Sequence, residues 1–313
     1  LRVIGIAGGT TLDFTIDGAG FSIPFFNDGL FHEVQTTLAG KDVVLKFKAD
    51  NDDSNMDRNI RFAIHDLPVY QIEEEDYQDP NVLNVMYYNV QMITFGISGM
   101  AQASDRGALL PAQISAHQDV VAFSEAFDDG PREDDLTPAM TAAGFPYRTT
   151  ILNAPGLIPI PTNGGVIIFS RWPIEAEDEI DFAECGQAAQ DCLANKGVKY
   201  AKINKMGKRY HVFGTHMDAG SGADDTYARR TQMAEIRDFI ADLEIPENEA
   251  VIFGGDFNTD PIDSDNDYQA FLDTMNPIIP QHIGYFESNF NDDFGKIIDH
   301  AWGDRTHLVP LSI

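Results

Sequence analysis

The chain has 313 residues, of which 43% are hydrophobic, so it is long enough for one large domain with a sizeable core plus a small one. Fifty acidic residues against 21 basic ones give a formal net charge of −29, a field that repels polyanions and disfavours nucleic-acid binding. No apolar run approaches the roughly 18 residues of a membrane-spanning helix. The acidity is typical of a strongly solvated surface.

The chain begins at Leu1, without methionine, signal peptide or basic leader. We expect a trimmed, secreted product, although a sequence that starts at an arbitrary point of a longer chain would begin in the same way. The two cysteines, Cys185 and Cys192, stand seven positions apart. We expect a local disulfide in an extracellular loop, with two free thiols as the alternative, and two cysteines are too few for a zinc site.

The first 78 residues differ in rhythm from the rest. Segments 12–29 and 41–52 alternate apolar and polar residues between glycine, asparagine and aspartate breaks, which predicts a small all-β accessory domain. Loop 50–59 could bind calcium through its oxygens, but it lacks the spacing of an EF-hand, and a plain acidic turn is the alternative. The acidic, proline-containing segment 71–81 predicts a linker, with domains over 1–78 and 79–313.

After the linker, apolar runs alternate with helical patterns. Strands are expected at residues 83–90, 119–125, 164–170, 199–203, 210–216, 250–257 and 296–302. Before the sixth run, an apolar helical face is formed by Met233, Ile236, Phe239, Ile240 and Leu243. Strands rich in valine, isoleucine and phenylalanine with intervening helices predict a layered α/β domain.

Polar residues at the ends of these runs share one chemistry. They are Asn89, Glu125, His216, Asp256 and Asn258, with Asp299 inside the last run. Strand ends hold side chains rigidly at one rim of a sheet. Carboxylate, carboxamide and imidazole groups suit Mg²⁺, Mn²⁺ or Ca²⁺, and a metal with histidine and aspartate is what phosphodiester hydrolysis needs.

A more modest interpretation exists for each residue alone. An acid after a strand is usually a turn residue or a helix cap. A histidine inside a strand, such as His211, is more often packed or hydrogen-bonded than catalytic. The recurrence of such residues on successive strands favours the functional interpretation.

The motifs "SEAFD", "GTHMDA", "GGDFN" and "IIDHAW" occur in this order. In this order the chain resembles the endonuclease/exonuclease/phosphatase superfamily, whose founding fold is that of deoxyribonuclease I. It is most similar there to the bacterial neutral sphingomyelinases, through "GFPYRT", "NGGVIIFSRWPI", "NKGVKYAKI" and "IPENEAVIFGGDFN". The resemblance covers residues 83–302, not the first 80. It implies a four-layer sandwich of two sheets flanked by helices.

The resemblance also implies roles for the strand-end residues. Glu125 would be the principal Mg²⁺ ligand, with Asn89 close to the same ion. Asp256 and Asn258 would hold and orient the water or the phosphate, and His216 would contact the phosphate. Mn²⁺ or Co²⁺ would substitute for Mg²⁺, and Ca²⁺ would occupy a secondary site.

Three further positions follow from the same resemblance. Asn163 and Lys196 would line the phosphate site, and Asp299 would orient the catalytic histidine. The family pattern continues with a Ser-Asp-His stretch that this sequence lacks. Either the given sequence lacks C-terminal segments, or His300 or His307 substitutes, or catalysis is impaired. The aromatic hairpin that sphingomyelinases use on membranes is also not visible.

The expected function is a secreted, Mg²⁺-dependent phosphodiesterase that cleaves sphingomyelin, or a related choline phospholipid, to phosphocholine and ceramide. A nuclease of the same superfamily is one alternative, and a catalytically degenerate binding or haemolytic protein is another. The expected partner is phospholipid at a membrane surface rather than nucleic acid, and the expected state is a monomer.

Overall fold

In the computed structural model, the described part of the chain comprises residues 74–93, 103–114, 116–153, 163–186, 191–260, 267–279 and 298–308, together with the backbone of six strands before residue 67. By its contacts the chain divides into two units, one over Leu1–Gln71 and one that begins at Ile72. The acidic loop 50–59 lies outside the described residues.

The six early strands form two antiparallel sheets of three strands each. The first contains β1 (Val3–Gly8), β2 (Thr11–Ile16) and β3 (Ala19–Pro24), and the second contains β4 (Phe31–Leu38), β5 (Lys41–Ala49) and β6 (Ile60–Asp66). The division into an accessory domain over residues 1–78 and a second domain over residues 79–313 stays a prediction.

The second unit begins with a short helix, α1 (Glu74–Gln78), inside the segment predicted as a linker. The buried Lys205 ammonium donates to the carbonyls of Asp76 (3.3 Å) and Val82 (2.7 Å) and pairs with the Asp119 carboxylate at 2.9 Å. The Tyr77 ring lies 5.5 Å from the Trp172 ring. The described part of this segment is therefore anchored to the domain that follows it.

One sheet of the second unit has four strands. Along the chain come β7 (Val85–Met92), α2 (Ala103–Leu109), β8 (Val120–Ala126), α3 (Thr137–Ala142), β9 (Tyr147–Arg148) and β10 (Ile167–Ser170). A 3₁₀ turn over Leu110–Gln113 follows α2, and a π-helix over Pro131–Leu136 precedes α3. The sheet order is β7-β8-β10-β9, with only β7 and β8 parallel.

The other sheet has five strands. It is built from β11 (Ile174–Asp181), β12 (Gly197–Lys205), β13 (Lys208–His216), β14 (Ala250–Asp256) and β15 (Asp299–Gly303), in that order. A 3₁₀ turn over Asp191–Leu193 precedes β12, α4 (Ala223–Asp242) joins β13 to β14, and α5 (Asp267–Met275) follows β14. Only β13 and β14 are parallel neighbours, so their carboxyl ends share one edge.

Three apolar clusters define the layers. One lies between the two sheets and contains Val120, Ala122, Ile168, Ala201, Ile203 and Val212. A second joins the five-stranded sheet to α4 and α5 through residues such as Phe213, Phe239 and Phe271. The third covers the other sheet with Phe123, Leu136 and Met140 among its members. These layers confirm the predicted four-layer sandwich. Within the described ranges, no helix combines the length and apolarity needed to cross a bilayer.

Candidate active site

The candidate site lies where the carboxyl ends of the parallel strand pairs meet. Asn89 lies in β7 and Glu125 lies in β8, each near the carboxyl end of its strand. His216 and Asp256 are the last residues of β13 and β14, and they pair with each other across the two strands. Because β8, β13 and β14 are buried along most of their length, the polar residue at the end of each is held with little freedom. The two packed sheets therefore contribute side chains to one rim.

Glu125, His216 and Asp256 converge closely enough to hold a metal ion. One ligand atom from each lies within 4.8 Å of the others. Asn89 links the two carboxylates, because its Nδ2 donates to Glu125 Oε1 at 2.7 Å and to Asp256 Oδ2 at 3.0 Å. Its Oδ1 accepts from the backbone of Gln91 at 3.0 Å, so the amide nitrogen faces the cluster.

The backbone at the site adopts conformations that cost energy. Glu125 has φ of 55°, Gln91 has φ of 51° and Asn258 has φ of 50°, all in the left-handed region that side chains disfavour. Each such residue costs about 1–3 kcal/mol and persists only where its surroundings hold it. Glu125 and Gln91 are each the second-last residue of their strand, β8 and β7.

Asp299 joins the cluster from β15. It pairs in register with Asp256, so both carboxylates lie on one face of the sheet. Burial, and then the charges of Asp256 and Glu125, raise the pKa of Asp299 to about 8. Its Oδ1 is buried with no hydrogen-bond partner among the described residues. Three carboxyl groups thus crowd a space where a cation would relieve their repulsion.

The surroundings of His216 favour its neutral form. Burial, and then the Lys196 charge, lower its pKa well below the ordinary value. Its Nε2 lies 3.4 Å from Lys196 Nζ and 3.8 Å from Glu125 Oε1. Its Nδ1 is buried with no hydrogen-bond partner among the described residues. The Phe127 ring lies 6.2 Å away.

The Met217 carbonyl gathers two of the predicted phosphate-site residues. It accepts from Lys196 Nζ at 2.8 Å and from Asn258 Nδ2 at 3.0 Å. Asn258 also donates its backbone N–H to Asp256 Oδ1 at 3.0 Å. Asn163 instead holds the turn after Glu125, since its Nδ2 donates to the Phe127 carbonyl at 2.9 Å.

The structure does not bring His300 to the cluster. Alternation along β15 points it away from Asp299, and its ring stacks on Trp302 with centroids 4.5 Å apart. Its Nε2 contacts the Thr259 carbonyl at 2.9 Å. His307 pairs with Asp304 at 3.2 Å. His211 is packed and hydrogen-bonded.

The cysteines form the predicted disulfide, with Cα atoms 5.5 Å apart. The loop it closes reaches the segment after His216, because the Gly186 N–H donates to Asp218 Oδ1 at 3.0 Å. Lys196 stands four positions after Cys192. The disulfide loop therefore adjoins the Lys196 side of the site.

The residues present fit a divalent metal ion. The carboxylates of Glu125 and Asp256 are the hard oxygen ligands that Mg²⁺ and Mn²⁺ prefer, and the excess of acid groups favours a bound cation. The sequence assigned no role to two neighbours of this centre, Phe127, which lies within the motif "SEAFD", and the buried Arg132. The sequence "FDDGPRE" carries no spacing signal for either.

Comparison with known proteins gives a consistent family. Residues 86–313 match the Endonuclease/Exonuclease/phosphatase family. Sphingomyelinase C of Bacillus cereus is 31% identical over 265 residues, which cover 74% of this chain and 78% of that protein. A β-hairpin deletion mutant of beta toxin from Staphylococcus aureus superposes with a TM-score of 0.65 at 27% identity, over 74% of this chain and 90% of that one.

A second beta toxin structure, a mutant with bound magnesium ions, has a TM-score of 0.62 at 27% identity and covers 72% of this chain and 85% of its own. These matches support the fold described above.

Proposed function

The chain belongs to the endonuclease/exonuclease/phosphatase family and is a phosphodiesterase hydrolase, and on this premise we propose that it hydrolyses sphingomyelin to phosphocholine and ceramide as a secreted, Mg²⁺-dependent enzyme. Hydrolysis of a related choline phospholipid would be the same reaction with a different lipid alcohol as the leaving group. The observation that carries the proposal is the convergence of Glu125, His216 and Asp256 within 4.8 Å.

Glu125 and Asp256 would hold the ion, with Asn89 fixing the distance between their carboxylates. Bound there, Mg²⁺ supplies a Lewis acid that neutralises phosphate oxygens. Asp256 and Asn258 orient the attacking water, since the Asn258 backbone already donates to Asp256.

His216 and Lys196 act on the phosphate from the other side. Because His216 is neutral and Lys196 lies beside its Nε2, the imidazole offers Nδ1 as a hydrogen-bonding atom while Lys196 supplies the positive charge. Water attacks phosphorus and gives up a proton to the Asp256 carboxylate. The bond from phosphorus to the ceramide oxygen breaks, and that oxygen leaves opposite the incoming water and takes up a proton from solvent. Asp299 and Asn163 position these groups rather than touch the phosphate. The predicted role of His300 finds no support in its contacts.

Two observations support a lipid over a nucleic acid. Sphingomyelinases C are the similar relatives. The net charge of −29 repels a duplex, whose binding requires a groove that neutralises many phosphates, whereas a choline head group carries positive charge.

The test compares phosphocholine release from sphingomyelin micelles with cleavage of plasmid DNA, with Mg²⁺ and with EDTA. We expect lipid turnover that EDTA abolishes, and DNA turnover at least about 100-fold lower in kcat/KM, which is about 2.7 kcal/mol of transition-state discrimination. Glu125→Gln should lose at least about 100-fold. Asp242→Asn, which removes one exposed acid at the far end of α4, is the matched control and should retain activity.

Two results would contradict the proposal. DNA cleavage equal to lipid cleavage would identify a nuclease. Metal binding without turnover of either substrate, in protein that carries any native C-terminal continuation, would identify a degenerate scaffold.

A further inference from the structure

Arg132 is a buried arginine, and its described contacts do not include Glu125, His216 or Asp256. Its side chain is 4% exposed and lies at the start of the π-helix. The guanidinium donates to the carbonyls of Ala126 at 2.9 Å and Phe127 at 3.3 Å. Nη2 also pairs with Asp129, and Nε donates to Glu133 at 2.9 Å.

These two carbonyls belong to the residues that directly follow Glu125. Glu125 has φ of 55°, a conformation that must be held in place by its surroundings. Asn163 also donates to the Phe127 carbonyl, at 2.9 Å, and the Ala126 N–H donates to the Gly165 carbonyl at 2.9 Å. The hydrogen bonds of Arg132 therefore help to hold the turn that keeps Glu125 directed toward His216 and Asp256.

An arginine is suited to this task. Its planar fork satisfies two carbonyls and two carboxylates at once, while a lysine has three donors on one compact ammonium. Asp129 and Glu133 neutralise the buried charge, so the guanidinium is fixed in direction.

We propose that Arg132 is a positioning residue that sets the affinity of the metal site by holding the strained turn at Glu125. This rests on the proposed function only in taking Glu125 as a metal ligand. If the turn relaxes, the Glu125 carboxylate leaves its place beside Asp256 and the site loses a ligand.

Arg171, which directly follows β10, offers a matched control away from Glu125. It donates to the carbonyl of Gln118, two positions before β8, at 2.7 Å and to the carbonyl of Ala143, directly after α3, at 2.8 Å. Arg171→Lys therefore removes a comparable set of hydrogen bonds to two carbonyls, away from the end of β8 that carries Glu125. It should cost stability without moving the metal ligand.

The experiment measures Mn²⁺ affinity of the purified protein by electron paramagnetic resonance, at a temperature where thermal unfolding shows every variant folded. We expect Arg132→Lys to weaken Mn²⁺ binding at least about 10-fold and Arg171→Lys to change it by less than about 2-fold. Glu133→Gln, at a residue whose side chain is 39% exposed, loosens Arg132 without burying a new group and should weaken binding about 3-fold. It decides the matter if Arg132→Lys does not fold.

Unchanged affinity in Arg132→Lys and Glu133→Gln, or equal weakening in Arg171→Lys, would overturn the proposal. So would wild-type protein that binds no Mn²⁺ or binds it as well after Glu125→Gln. Because affinity is measured without lipid, a loss confined to the Arg132 and Glu133 variants in protein that does not hydrolyse sphingomyelin would refute the proposed function and leave this inference standing.

Discussion

The two ends of β13 each carry a buried histidine, and the two side chains are treated in opposite ways. Near the amino end, His211 has a partner on both nitrogens: Nδ1 contacts the Tyr200 hydroxyl at 2.7 Å and Nε2 contacts Glu249 Oε2 at 2.7 Å. At the carboxyl end, Nδ1 of His216 has no partner among the described residues.

Burial lowers the pKa of both histidines, so the pKa alone does not tell them apart. The difference lies in hydrogen-bond satisfaction. A buried polar network that is complete adds to stability and specifies the fold. A buried donor without a partner costs about 1–3 kcal/mol, which the protein tolerates where a ligand completes the set. The contacts of His211 are therefore those of a structural residue, while the unsatisfied Nδ1 of His216 supports its proposed role at the active site.

The largest effect should follow from removing His216. His216→Asn should lower kcat/KM for sphingomyelin by at least about 100-fold, because a positioned acid–base or hydrogen-bonding group contributes roughly 10²–10⁴-fold. The midpoint of thermal unfolding should stay close to that of the wild type, since among the described residues Nδ1 has no hydrogen-bond partner and Nε2 makes only a long contact of 3.4 Å with Lys196. A variant that keeps a tenth of the activity would show that His216 is not needed.

The converse substitution should separate stability from activity. His211→Asn leaves the Tyr200 hydroxyl and the Glu249 carboxylate without their shared partner, and we expect a loss of about 2–4 kcal/mol in the free energy of unfolding. Activity per folded molecule should stay within about 3-fold of wild type. Urea unfolding and assays at a low urea concentration measure the two quantities. A 100-fold loss of kcat with normal stability would contradict the comparison.

The described part of the disulfide loop contacts the segment that follows the carboxyl end of β13, because Gly186 donates to Asp218. Replacing Cys185 and Cys192 together with serine should cost about 2–3 kcal/mol, the chain-entropy value for so short a loop. Because Lys196 follows this loop, KM should rise while the metal affinity stays constant. Calorimetry of the double variant checks the first part, and an unchanged unfolding midpoint would refute it.

Sequence predicted the strands of the second unit well where they are buried on both faces. Residues 210–216 and 250–257 were expected as strands, and the structure has Lys208–His216 and Ala250–Asp256. Continuous apolar runs that end in glycine, aspartate or histidine are hard to mistake.

The edge strand β11 was missed because its residues, "IEAEDEID", resemble a solvated acidic run. Tertiary pairing makes it a strand. Glu179 faces Lys199 in register, and the 2%-exposed ammonium of Lys199 pairs with Glu179 at 2.7 Å and approaches Glu177 at 3.8 Å. Only the neighbouring strand supplies this partner, so local propensity gives no warning.

Within the site, motifs predicted the residues that converge, while side-chain direction and backbone acceptors escaped them. Asp299 and His300 are adjacent, and alternation along a strand forces them to opposite faces. The Met217 carbonyl that gathers Lys196 and Asn258 could come from any residue type. The clamp of Arg132 on two carbonyls is invisible to sequence for the same reason.

The smallest predicted effect is the pH dependence contributed by His211. Burial lowers its pKa, and the facing charges of Lys202 and His307 add to this, while the hydrogen bond and charge of Glu249 oppose it. The unfolded chain therefore binds the proton more readily than the folded one. The contribution of His211 to stability is complete above its ordinary pKa of about 6.5 and is lost as the pH falls through the lower folded value, with a slope of at most about 1.4 kcal/mol per pH unit.

The measurement is urea unfolding of wild type and His211→Asn between pH 8 and pH 5. We expect the stability advantage of the wild type to shrink as the pH falls, because only the wild type must keep a buried imidazole neutral. If Glu249 instead held His211 as a charged partner, the folded pKa would be raised and the advantage would grow toward acid. That outcome would show that His211 and Glu249 form an ion pair. His211 would then be charged, whereas burial favours the neutral form of His216.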